Sequence, residues 1–193
     1  GEIVAGGADA GDLRDALAPP DTRAGVVAAL IERDLPGAHV VAVDVSGIEP
    51  DSPTLHAGYV GSVRSFGRVA PEGLTVPIGV RLDLLRRFAA ATNRTTDLDL
   101  AAAGFPLDIR REARIFPRGG WIWDRLPRGA DDTGPFGSFS IDARIEDDGL
   151  VVSVAVSIPR TRIPAADYPA FRGFLERIDA AIAQTATAVR RMP

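Results

Sequence analysis

The sequence predicts an α+β fold: a mainly antiparallel sheet or sandwich, two helices near the N-terminus, and one long C-terminal helix packed on the sheet. Three observations lead there. Phe139 to Ile158 alternates apolar and polar on either side of Asp147-Asp148-Gly149, the pattern of a β-hairpin with one wet face. Leu107, Ile109, Ala113 and Ile115 alternate with Asp108, Arg110, Glu112 and Arg114, as a half-buried strand requires. Phe171, Phe174, Leu175, Ile178 and Ile182 recur at helical spacing and form an apolar stripe that has to be covered.

Taken in chain order, Gly1-Glu2-Ile3-Val4 reads as the middle of a strand, and with no initiator Met the sequence is read as a piece of a longer protein. Asp9 to Leu17 and Thr22 to Leu35 are predicted helices separated by Ala18-Pro19-Pro20. Asp21 is placed to cap the second, whose Val26, Val27, Leu30, Ile31 and Leu35 are spaced as an amphipathic face, and Pro36-Gly37 ends it. His39 to Val45 is a predicted strand with Val41, Val43 and Val45 on one face; a turn-rich stretch from Gly47 to Pro53 leads to a second strand, Thr54 to Val63.

Gly67 to Gly79 is expected to be a loop holding one short strand, followed by a helix from Val80 to Ala91. Residues 1–193 are expected to form one compact domain. A seam near 92–104, where Thr, Asn, Asp and small residues mix, would divide an N-terminal α+β part from a hairpin-plus-helix part. Trp121-Ile122-Trp123 is a short strand. Asp167 is placed to cap the last helix and Pro169 falls in its first turn, where a missing N–H costs little. The helical spacing is read through to Val189, roughly six turns.

Composition narrows the function by what is missing. Hydrophobic residues at 46% and charged residues at 25% are those of a folded chain, not a disordered one. No run reaches the ~18 apolar residues of a membrane span, and Gly1 to Ala10 has no signal-peptide pattern. A net charge of −4, with no basic run longer than an Arg pair, gives no footprint for nucleic acid. All 22 basic residues are Arg, so Walker lysines, Schiff bases and amine bases are excluded, and the lack of Cys excludes thiol chemistry and disulfides.

What remains for a site is sparse. His56, with Ser52 or Asp51 nearby in sequence, offers a nucleophilic set, although a structural or surface histidine accounts for it better, as for His39. The two histidines do not have metal-ligand spacing, and no cofactor or metal is expected. Asp131-Asp132 and Asp147-Asp148-Gly149 read as loop and turn residues, lacking the alternating oxygens of a calcium loop. Gly6-Gly7 before a helix lacks the spacing of a phosphate loop. Trp121 and Trp123 put two indoles on one strand face, either a ligand or interface platform or packing into the core.

Gly7-Ala8-Asp9-Ala10 with Leu13-Arg14, Phe105-Pro106-Leu107, Leu126-Pro127, Phe136-Gly137-Ser138-Phe139-Ser140, and above all Arg162-Ile163-Pro164 with Asp167-Tyr168 and Phe171 to Leu175, resemble the C-terminal part of bacterial transglutaminase-like proteins. The resemblance implies a parent with a β-sandwich in front, a papain-like core in the middle and a non-catalytic β-rich region behind. The catalytic Cys, His and Asp of such a core have no counterpart here, so the resemblance implies a non-catalytic accessory domain. It would pack on the core or shape access to its cleft, with other domains of the same polypeptide as partners and an extracytoplasmic location.

Overall fold

The computed structural model describes residues 1–6, 8–32, 35–63, 66–117 and 119–190. Its helices and strands form two compact units, Gly1–Phe66 and Gly67–Pro193, so residues 92–104 lie inside the second unit.

In the first unit the order is β1 (Glu2–Gly6), α1 (Ala8–Leu17), α2 (Arg23–Ile31), β2 (Ala38–Ser46) and β3 (Thr54–Val63). The strands pair antiparallel in the order β1-β3-β2. Leu17, Val27 and Ile31 of the helices are buried together with Val40, Leu55 and Ala57 of one sheet face. A 3-10 turn, Pro20–Thr22, precedes α2 and takes up Asp21, so the expected aspartate cap is not formed. The buried stripe of α2 is narrower than its spacing promised, because Leu30 is 47% exposed. A bulge between Val40 and Ala42 corrects the reading of β2. The extra residue shifts the alternation, so Val40 faces the core with the half-buried Val43 and Val45, while Val41 is 62% exposed.

The second unit runs β4 (Arg68–Ala70), β5 (Gly73–Pro77), α3 (Leu84–Phe88), β6 (Leu98–Asp99), β7 (Leu107–Ile115), β8 (Trp121–Arg125), β9 (Ala130–Gly134), β10 (Gly137–Glu146), β11 (Gly149–Ile158), β12 (Arg162–Ile163), α4 (Tyr168–Ile182) and β13 (Thr185–Arg190). Its antiparallel sheets have the orders β7-β11-β10-β9, β4-β5-β13-β8 and β12-β6. The predicted hairpin is β10–β11, with Phe139 opposite Val156 and Ile141 opposite Val154. Its two-residue turn puts Asp147 and Asp148 at positive φ, 50° and 63°, the backbone that matches strand twist.

Helix α4 covers this hairpin as its stripe requires. Phe171, Phe174, Leu175 and Ile178 are buried in one cluster with Leu150, Val152, Val154, Val156 and Ile158. Ring contacts join the layers: Phe136 meets Phe171 edge-on at 5.6 Å, and Phe139 lies 6.1 Å from Phe174. At the start of β10, Gly137 has φ 146° and its Cα lies against the Ser157 carbonyl, so no side chain fits there.

Four expectations are corrected in this unit. Gly67 to Gly79 contains a hairpin, β4–β5, rather than one short strand. The predicted helix Val80 to Ala91 shrinks to the five residues of α3, because Ile78, Val80 and Leu82 are buried at every second position, an extended pattern that overrides helix propensity. The Asp131-Asp132 pair lies in strand β9 and not in a loop. Helix α4 stops at Ile182 after 15 residues, and Val189 belongs to β13, an inner strand that buries Ala186 and Ala188. The Thr-Ala-Thr-Ala-Val run is strand chemistry, and its burial between β5 and β8 decides the matter.

Candidate functional site

Trp121 and Trp123 project from β8, an edge strand bonded to β13. Alternation places both half-buried and Ile122, on the opposite face, exposed. The two indoles have different surroundings. Trp123 packs against the main core, and its Nε1–H is buried without an acceptor. Trp121 lies under the Arg190 guanidinium, 5.3 Å from the ring centroid. Only Trp121 is therefore placed as a surface group.

His56 sits on β3, opposite Val4 on one side and Ser46 on the other. Its Nδ1 is 2.9 Å from Glu2 Oε1 and its Nε2 is 3.4 Å from the Thr54 hydroxyl. Of the partners foreseen from sequence, Ser52 is engaged elsewhere: its hydroxyl donates to the Thr54 carbonyl at 3.0 Å. Hydroxyl, imidazole and carboxylate thus line up in the order of a catalytic triad, with Thr54 and Glu2 in place of Ser52 and Asp51. All three are exposed, on an open sheet face. His39 lies exposed at the start of β2.

Sequence reasoning missed a polar hollow. On the side of the sheet β7-β11-β10-β9 away from α4, Ser157 faces Ser138 across the central strands, with Asp108 and Thr133 beyond them. A hollow of about 370 Å³ lies there, lined also by Arg110 and Asp131. Its signal was the serines at outward positions 138, 140, 153 and 157, small residues flanked by long charged ones. Such a surface can hydrogen-bond a polar ligand from one side only.

Several carboxylates bind the fold to itself. Asp179 Oδ1 accepts the Leu84 N–H at 3.0 Å and Oδ2 the Leu85 N–H at 2.9 Å, so α4 caps α3. Asp97 accepts the Ala165 N–H at 3.0 Å and an Arg162 hydrogen bond at 3.0 Å, and these two contacts hold its pKa below the ordinary carboxylate value. Asp132 pairs with Arg177 at 2.8 Å. Among the described residues no group of three or more His, Asp or Glu is placed to hold a metal ion, and no helix is long and apolar enough to cross a membrane. Of the Gly6-Gly7 pair, Gly7 lies outside the described residues.

A family profile described as "Domain of Unknown Function with solved-structure structure (DUF3858)" matches residues 83–187. The match runs from the cap of α3 to β13 and so takes in most of the second unit. No curated protein and no solved structure matches the chain.

Proposed function

The chain belongs to the DUF3858 family of domains of unknown function, and from that premise we propose that it is a non-catalytic accessory or interaction domain of a larger bacterial protein. The finer part of the proposal is that the parent is transglutaminase-like, with this domain packing on a papain-like core or shaping access to it.

The observation that carries this reading is where the polar groups of the second unit go. Asp179, Asp97 and Asp132 each hold two elements together, and the Gln184 side chain clasps both the N–H and the carbonyl of Arg128. Groups committed to backbone and guanidinium partners serve shape, and shape is what an interaction domain supplies. The motifs that resemble transglutaminase-like proteins support the context: Phe136 to Ser140 opens β10, and Arg162 to Leu175 spans β12 and the start of α4. On this reading the chain is not an enzyme, takes no cofactor, and has other domains of its own polypeptide as partners.

Turnover assays across ester, amide and glycoside substrates test it, with no rate above buffer expected. A hydrolytic rate that His56→Ala abolishes would overturn the proposal in favour of a small hydrolase built on Thr54, His56 and Glu2. For the finer part, the gene should carry a core with Cys, His and Asp upstream of Gly1; another neighbour there removes it. Trp121, stacked by Arg190 at the surface, favours a second reading as a glycan- or peptide-binding β domain. That reading expects saturable fluorescence changes on titration with such ligands, lost in Trp121→Ala.

A further inference from the structure

The two units differ in charge. Gly1–Phe66 holds ten acidic residues against four arginines, a net −6, while Gly67–Pro193 holds sixteen against eighteen, a net +2. The acidic unit has an open sheet face. Its helices are buried against the side of Val40, Leu55 and Ala57, and on the other side Val4 and Val60 are 54% and 64% exposed, with the bulged Val41 also in solvent. A solvated sheet face ordinarily carries polar residues at these positions, and exposed apolar residues rimmed by polar ones mark an interaction site.

The centre of this face is shaped. Gly58, in the middle of the central strand, stands directly opposite Glu2 on β1 and Asp44 on β2. Its missing side chain contributes to a hollow of about 390 Å³ lined by Asp44, Gly58 and Val60 among others. Apolar walls beside the Asp44 carboxylate suit an Arg or Lys side chain, whose methylene stem and charged head want both.

We propose that this face docks a protein partner whose contact patch combines apolar and basic residues, with one Arg or Lys seated over Gly58 beside Asp44. The proposal rests on the interaction-domain reading and gives it an address. Charge selects the occupant: a second copy of the same face would set Glu2 and Asp44 against their own counterparts, in a unit of net −6, and a basic surface is drawn in instead. Because the contact is electrostatically steered, it weakens as salt shortens the Debye length.

The test is an amide NMR titration of the full chain with two synthetic amphipathic peptides that share a Val/Leu centre and differ in carrying Lys or Glu at the rim. The Lys peptide is expected to shift Val4, Ala42, Asp44, Gly58 and Val60, and the Glu peptide to leave them unmoved. Asp44→Asn and Val60→Asp should each weaken binding at least about tenfold, roughly 1.4 kcal/mol. Where Val60→Asp disturbs the fold, Asp44→Asn alone decides. Shifts confined to the second unit, unchanged binding by Asp44→Asn, or a wild-type dimer that Val60→Asp makes monomeric would each overturn the proposal. Those outcomes leave the accessory reading standing, whereas a hydrolytic rate lost in His56→Ala sinks that reading whether or not the Lys peptide binds.

Discussion

Leu175 stands at the junction the fold depends on, where α4 meets β10 and β11, and it is fully buried. Leu175→Ala removes three carbons from that junction. At about 0.8 kcal/mol per buried carbon the lost transfer term is about 2.5 kcal/mol. The cluster around it is built of Phe, Ile, Leu and Val side chains held by a helix and a paired hairpin, so it collapses only partly into the space, and a cavity term adds to the transfer term. The expected total loss is about 3 to 4 kcal/mol. Both tryptophans, Trp121 and Trp123, lie in the second unit, so tryptophan fluorescence during urea unfolding reports that unit. Leu30→Ala, at a half-exposed position in the first unit, is the control and should leave the tryptophan transition in place. A loss below about 1 kcal/mol for Leu175→Ala, or a variant whose only change is lower self-association, would refute the packing argument, since the stripe would then serve an external partner.

Other substitutions probe single contacts. Asp179→Ala leaves the Leu84 and Leu85 N–H groups without their acceptor and should cost about 1 to 2 kcal/mol, with faster hydrogen exchange at those two amides as the direct readout. The folded-state pKa of Asp97 is lowered, first by the Ala165 N–H and then by Arg162, so its contribution to stability is present above the ordinary carboxylate pKa and lost as pH falls through the lowered one. Asp97→Asn should therefore flatten the acid limb of the stability–pH curve, measured by denaturant midpoints below about pH 5; an unchanged slope would contradict the assignment. Asp148→Gly relieves a non-glycine residue at φ 63° in the hairpin turn and should raise stability by about 0.5 to 1 kcal/mol, read as a higher urea midpoint.

The strand pair β10–β11, strand β7 and the buried stripe of α4 were legible in the sequence because each carries a dominant period over eight or more residues, interrupted only locally, as at Arg111 and Val151, and period depends on which faces meet water. The misreadings share one cause, a local signal overruled by a distant partner. Val80 to Ala91 has helix-forming residues, yet Ile78, Val80 and Leu82 are pulled into the core as an extended segment, and the one helical turn that forms is capped by Asp179, 95 residues away from Leu84. The run to Val189 was extended as helix because β13 becomes a strand only between β5 and β8.

The candidate sites divide in the same way. Sequence alone determined the residue types that exist, and with them the absence of thiol and amine chemistry. It also named Trp121, Trp123 and His56 as groups to watch. Tertiary structure decided what each one meets: Trp123 joins the core, Trp121 lies under Arg190, and His56 joins Glu2 across 54 residues rather than its near neighbours. It also decided that Gly58 falls between Glu2 and Asp44. That placement depends on strand register, and register is set by long-range pairing and a single bulge at Val41, which no local spacing encodes.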